Sequence, residues 1–179
     1  MQYIKGIESY QNTKATAITF GKFDGLHQGH NLLIQKIEEH QKNDDVDGVV
    51  VAFEMNQEIL LTNPEKAKML ENRIAYFVDC PFDEKISKME AEVFIEDVIV
   101  GIFHAKYIVV GTDFCFGYQK RGNYQMLQEY SEKYGYQVEV FQKIRHEGRD
   151  ISSTYIKEEL KKGNVDLVNQ LLGYKLIES

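Results

Sequence analysis

The sequence predicts an α/β fold in which helices cover both faces of a parallel β-sheet. Three observations carry that expectation. Gly48-Val49-Val50-Val51-Ala52-Phe53 and Tyr107-Ile108-Val109-Val110 are apolar without interruption, as strands buried on both faces must be. Amphipathic stretches with helical spacing separate the strand-like runs. Strand and helix alternate along almost the whole chain, which is the pattern of right-handed crossovers onto one parallel sheet.

In order, Ala15 to Phe20 reads as the first strand and Asn31 to His40 as the first helix. Asn43-Asp44-Asp45 is a polar break before the second strand, Gly48 to Phe53. Met55 to Asn63 reads as a loop, and Pro64 opens a helix running to about Asn72, proline being favoured early in a helix. Ile74 to Asp79 is a short strand, Glu90 to Phe103 a helix, and Tyr107 to Val110 a buried strand ended by Gly111. Asn123 to Tyr134 is helical and stops at Gly135, a terminating glycine. Tyr136 to Ile144 alternates as a strand, and two helices, Thr154 to Lys162 and Asn164 to Leu172, meet at Gly163. In open sheets of this kind ligands bind beyond the carboxyl ends of the strands. The loops after Phe20, Phe53 and Val110 should therefore converge.

Residues 1–179 are expected to form one domain with a substantial core. Hydrophobic residues make up 43% and charged residues 27%, an ordinary globular balance. The net charge of −7 and pI near 5.3 argue against a nucleic-acid surface. They leave room for a local basic pocket. Cys80 and Cys115 belong to no metal pattern and read as free thiols in a reducing cytosol. No apolar run is long enough to span a bilayer, and the start carries no signal-like segment, so a cytoplasmic protein without membrane partners is expected.

The most informative stretch is Phe20-Gly21-Lys22-Phe23-Asp24-Gly25-Leu26-His27-Gln28-Gly29-His30. A strand, a glycine turn and a helix start carrying two imidazoles at i and i+3 favour nucleotide phosphates. The glycine spacing is neither the dinucleotide fingerprint nor the Walker loop. Histidine in place of the Walker lysine suggests attack at an α-phosphate. Two other readings fit the same residues: a solvated helix start, and a metal site built from Asp24, His27 and His30.

Two further motifs follow. Gly111-Thr112-Asp113-Phe114-Cys115-Phe116-Gly117 ends a buried strand. There Gly111 permits close ligand approach, Asp113 offers acceptors to ribose hydroxyls, and Phe114 and Phe116 offer an aromatic slot. Taken alone, the motif is explained better by a plain strand-end turn with two core phenylalanines. Asp150-Ile151-Ser152-Ser153-Thr154-Tyr155-Ile156-Lys157 opens the last helical region. Its hydroxyls, free N–H groups and following cation make a second phosphate cradle, or simply a well-capped helix.

Together these segments, with Pro64-Glu65-Lys66 and Gly163 through Leu171-Leu172-Gly173, resemble in order and spacing the FMN adenylyltransferase module of bacterial FAD synthetases. The resemblance covers nearly the whole chain. It implies a Rossmann-like nucleotidyltransferase fold of the HUP class. It also implies ATP and FMN as substrates and Mg²⁺ held mainly through phosphates, with Asp24 or Asp113 assisting. The implied catalytic residues are His27, His30 and Lys157. ATP would meet Gly21, Phe23, Asp24, Gly29, Gly111, Asp113, Ser152, Ser153 and Thr154. FMN would meet Phe53, Asn56, Phe116 and Gly117.

Two departures stand out. Met55-Asn56-Gln57 replaces the family's usual Pro-His-Pro, and Lys157 replaces an arginine, which should weaken phosphate binding without abolishing it. The family usually continues into a riboflavin kinase domain. This chain carries a single set of phosphate motifs and stops at Ser179, so a separate riboflavin kinase is expected to supply FMN. The altered loop leaves open transfer to another phosphorylated acceptor. A flavin- or nucleotide-binding regulator without turnover is the remaining alternative.

Overall fold

In the computed structural model, residues 1–54 and 57–176 are described. Six parallel strands form one sheet: β1 (Gln2–Lys5), β2 (Thr16–Gly21), β3 (Asp47–Glu54), β4 (Tyr76–Pro81), β5 (Ala105–Gly111) and β6 (Gln137–Phe141), in the order β1-β4-β3-β2-β5-β6. The chain steps outward from β2 through β3 to β4, then returns to place β5 on the other side of β2. That reversal makes the crevice beyond β2 and β5 the switch point of the sheet.

Alternation along the central strands explains the uninterrupted apolar runs. Ile18, Phe20, Val49 and Val51 point to one face, joined by Phe94, Ile95, Val98 and Phe103. Ala17, Val50, Ala52 and Phe77 point to the other, where α1 (Gln28–Asn43) and α2 (Asn63–Leu70) supply Ile34, Ile37 and Leu70. Val49, Val50 and Val51 have no exposed surface, and burying each is worth about 1.5–3 kcal/mol relative to exposure. Two packed layers thus fix the sheet, and with it the position of every loop at its carboxyl edge.

The helices follow their end signals. Thr62 caps α2 in a reciprocal box with Glu65, and Pro64 sits in its first turn. Short helices α3 (Glu84–Ser87) and α4 (Ala91–Val93) follow β4, and α4 continues as a π-helical stretch, Phe94–Val100. The helix expected over Glu90 to Phe103 is therefore wound wide over most of its length. The helix expected over Asn123 to Tyr134 is two, α5 (Tyr124–Glu129) and α6 (Ser131–Tyr134), and Gly135 ends the second in a left-handed conformation. The strand expected to reach Ile144 ends at Phe141 and is followed by a small antiparallel hairpin, β7 (Arg145–His146) and β8 (Arg149–Asp150). Finally α7 (Ser153–Lys161) and α8 (Val165–Leu172) pack through Ile156, Val168 and Leu171. No helix among the described residues is long and apolar enough to cross a membrane.

Candidate active site at the switch point of the sheet

The loop from β2 to α1 is strained before it reaches the histidines. Phe23, Gly25 and Leu26 all have positive φ, at 51°, 84° and 43°. Left-handed non-glycine residues cost free energy and persist only where their surroundings hold them. Here Phe23 and Leu26 are buried in the core, at 2% and 6% exposure. At Gly25 a Cβ would lie 2.8 Å from Leu60 Cδ1, so glycine is required on both counts.

The strain delivers His27 to the N-cap of α1 with its ring folded back over the helix start. His27 Nδ1 accepts from the backbone N–H of Gly29 at 3.1 Å and of His30 at 3.4 Å. Gly29 is what permits this, because a Cβ there would stand 3.0 Å from the imidazole. An accepting Nδ1 places the proton of the neutral ring on Nε2. The helix start therefore presents outward an imidazole N–H, in place of the two backbone N–H groups that the ring has satisfied. His30 stacks on His27 with ring centroids 3.6 Å apart and planes 18° apart, and the Phe23 ring meets it edge-on at 5.3 Å. His30 Nδ1 is buried with no protein partner among the described residues.

Both rings are held neutral. Burial, then the charge of Lys143, pushes His27 down to about 4. Burial, then the neighbouring His27, Lys66 and Lys143, holds His30 well below the usual histidine value. An unfolded histidine titrates near 6.5, so between pH 6.5 and 4 the unfolded chain binds protons that the folded chain refuses. The stability these rings contribute is complete above pH 6.5 and is lost as the pH falls toward 4. For His27 alone the loss is on the order of 3 kcal/mol. Thermal melts from pH 8 to pH 4 should show this fall, and His27→Asn should flatten it; an equally steep fall in the variant would show that other groups cause it.

Lys157, on α7, reaches back to the same loop. Its Nζ lies 2.8 Å from Asp24 Oδ2 and donates to the Glu58 carbonyl at 2.5 Å. Asp24 is 3% exposed, and its Oδ1 accepts from the Leu60 N–H at 2.7 Å. Among the described residues no donor is aligned with Oδ2, so the Lys157 contact is one of charge. The first and third sequence motifs are thereby joined directly. At the start of α7, Ser152 Oγ accepts from the Tyr155 N–H at 3.1 Å and acts as the cap, leaving Ser153 and the exposed Thr154 in the first turn.

The second motif enters from β5. Gly21 and Gly111 end β2 and β5. Asp113 folds back over Gly111, within 3.1 Å of where a Cβ would stand, and pairs with Lys143 at 3.1 Å. Phe53 and Phe114 flank Phe20 in near-parallel stacks at 6.4 and 6.2 Å, and Phe116 continues the row 5.5 Å from Phe114. Phe116 is buried against Phe94, and Gly117 packs on Ala91, 2.7 Å separating a notional Cβ from that residue's Cα. These contacts anchor the end of the aromatic row on Phe94 and Ala91. Asn56 lies outside the described residues. Sequence reasoning missed Lys143, a cation just past β6. It also passed over the chemistry of Lys66, which donates to the Lys22 carbonyl at 2.9 Å.

The model of the FAD synthetase family matches residues 9–155. The chain belongs to the FAD synthetase family. Relatives include the bifunctional riboflavin kinase/FMN adenylyltransferases of Escherichia coli K12, 29% identical, and Haemophilus influenzae, 30% identical. Each comparison covers 97% of this chain and 60% of the relative. The FAD synthetase chain thus spans about 60% of the length of the curated relatives it matches. Among solved structures, a protein from Streptococcus pneumoniae described as a macrolide-efflux protein superposes with a TM-score of 0.84 at 24% identity, covering 97% of this chain and 70% of its own. A pantoate-β-alanine ligase from Francisella tularensis superposes at 0.52 with 13% identity, over 96% and 86%. Both likenesses speak for the α/β fold with its single parallel sheet.

Proposed function

We propose that this FAD synthetase family chain transfers the adenylyl group of ATP to FMN, forming FAD and releasing pyrophosphate. The observation that carries the reading is the stacked, uncharged His27–His30 pair at the start of α1, set at the switch point and in the field of Lys143. A phosphate oxygen of FMN attacks the α-phosphorus in line as the bond to the bridging oxygen of pyrophosphate breaks. An ionised phosphate is already a nucleophile, so neither a covalent intermediate nor a strong base is needed. What remains is alignment and the stabilisation of developing charge.

Neutral imidazoles suit that task. His27 Nε2–H donates to a phosphate oxygen while its ring stays fixed by the helix start, so little reorganisation accompanies the reaction. Ser153, Thr154 and Lys157 face the departing pyrophosphate, with the positive end of the α7 dipole behind them. Phe53 and the aromatic row give the isoalloxazine an apolar wall. Among the described residues no three His, Cys, Asp or Glu side chains cluster as a metal cage. Mg²⁺ arriving with the nucleotide would neutralise phosphate charge, and the exposed carboxylate of Asp113 is the side chain that would assist in holding it. A cytoplasmic setting, where ATP is abundant and the thiols of Cys80 and Cys115 stay reduced, suits the reading, with a riboflavin kinase supplying FMN.

Incubation with ATP, Mg²⁺ and FMN should yield FAD by mass spectrometry. The altered Met55-Asn56-Gln57 loop favours a second reading, transfer to another phosphorylated acceptor. Pyrophosphate release with such an acceptor, and none with FMN, would establish it instead. Binding of FMN and ATP with no product would make the chain a regulator.

A further inference from the structure

Lys66 brings a positive charge into the protein with no carboxylate beside it. The residue is 4% exposed. Its Nζ donates to the Lys22 carbonyl at 2.9 Å and to Asn63 Oδ1 at 3.0 Å. Both acceptors are neutral, and an ammonium has a third N–H to place. Among the described residues no carboxylate oxygen lies within 4.0 Å of it. The carboxylates nearby are engaged elsewhere or exposed. Asp24 contacts Lys157, and Asp79 accepts from Asn63 Nδ2 at 2.8 Å and from the Tyr3 hydroxyl. Glu54 is exposed at the end of β3. Buried charges are normally paired, so this ammonium lacks an anion.

The position of the charge indicates which anion. Lys66 lines a cleft of about 90 Å³ together with Lys22, Asp24, Phe53 and Glu54. Phe53 belongs to the aromatic row, and the charge of Lys66 is felt at His30. Lys66 therefore stands near both the wall proposed for the flavin ring and the histidines proposed for the reacting phosphates. Burial holds its pKa below the ordinary lysine value against the pull of Asp24, Asp79 and Glu54. A phosphate dianion arriving there would offset that cost.

We propose that Lys66 binds the phosphate of the acceptor directly and holds the attacking oxygen beside His30, while Lys157 serves the pyrophosphate side. The assignment rests on the adenylyl-transfer reading and divides its two phosphate-bearing substrates between two lysines. As a point charge, Lys66 suits a group that must keep one oxygen free for attack.

Riboflavin and FMN differ by the phosphate alone, so their affinities isolate its contribution. Titration of the full chain, followed by quenching of flavin fluorescence, should give FMN binding at least about tenfold tighter than riboflavin binding. In Lys66→Met, which keeps the length of the side chain, the ratio should fall to near one, with affinities for riboflavin and ATP changed by no more than about twofold. A folded Lys66→Met that keeps the full FMN preference overturns the proposal, as does equal binding of the two flavins by the unaltered chain. Should the variant not fold, the Lys66 ε-methylene signals of the unaltered chain decide by NMR. They must shift with FMN and stay in place with riboflavin, and their failure to shift with FMN overturns the assignment. FAD formation is assayed on the same preparation. FAD made without a Lys66-dependent FMN preference sinks this assignment alone, and a Lys66-dependent preference without FAD sinks the transfer reading alone.

Discussion

Replacing His27 with asparagine is expected to slow FAD formation about a hundredfold or more while leaving the protein nearly as stable as before at neutral pH. The two effects separate because the ring does two jobs at opposite nitrogens. Nδ1 caps α1 through Gly29 and His30, and an asparagine oxygen caps a helix well. Nε2–H is the donor proposed for the phosphate, and the amide N–H of a capping asparagine, on a shorter side chain, does not reach that position. Loss of one preorganised donor to developing charge is worth about 3 kcal/mol of barrier. His27→Ala should show the same loss of turnover together with about 1 kcal/mol of lost stability from the missing cap. His30→Ala should also be slow, without a cap penalty. Steady-state rates and thermal melts on the three variants check this, and near-normal turnover in all of them would remove the histidines from the chemistry.

Lys157→Met should produce the largest loss of stability, about 3 kcal/mol, because it leaves the Asp24 carboxylate buried without its counter-charge. The same change should weaken ATP and pyrophosphate binding more than FMN binding. The two consequences come apart in the double variant Asp24→Asn with Lys157→Met. It should recover much of the stability, since no charge is stranded, and recover none of the pyrophosphate affinity. Lys157→Arg should be tolerated or bind pyrophosphate better, because a guanidinium can pair two phosphate oxygens. Denaturant unfolding and calorimetric titration with pyrophosphate read the two quantities. Equal losses of ATP and FMN affinity in Lys157→Met would indicate damage to α7 as a whole.

The parallel sheet was readable because its central strands have no exposed face. Val49 to Ala52 and Ile108 to Val110 are buried on both sides, and no other local structure uses so long an apolar run so economically. Edge elements left no such mark. In β1 only Ile4 is buried, so Gln2-Tyr3-Ile4-Lys5 shows no pattern. The β7–β8 hairpin is made wholly of Arg145, His146, Arg149 and Asp150, residues that also describe a loop. The start of α1 was placed three residues late, at Asn31 in place of Gln28. Histidine is an unusual cap, and glycine in the first turn reads as a break. Its purpose appears only when the His27 ring is seen lying across it.

The site divides along the same line. The phosphate-facing segments around His27 and Ser152 were legible because each combines a helix start with its donors in a few consecutive residues. Lys143 and the isolation of Lys66 were not, because their meaning lies in how segments distant in sequence meet. Lys143 finds Asp113, and the surroundings of Lys66 are assembled from Lys22, Asn63 and Asp79. The Asp24–Lys157 contact likewise joins a residue that the sequence assigned to ATP with one that it assigned to catalysis.

The first strand has a consequence unrelated to chemistry. Without it, the margin of the sheet would be β4, whose Phe77 and Val78 are wholly buried. That would be a sticky border inviting a second molecule to continue the sheet. The segment Gln2–Lys5 covers this border with a strip only four residues long and mostly hydrophilic on its outer side, too short and too polar to serve as a template. The colloidal behaviour of the protein thus depends on a handful of residues at the margin of the sheet. They lie at the opposite margin of the sheet from β6.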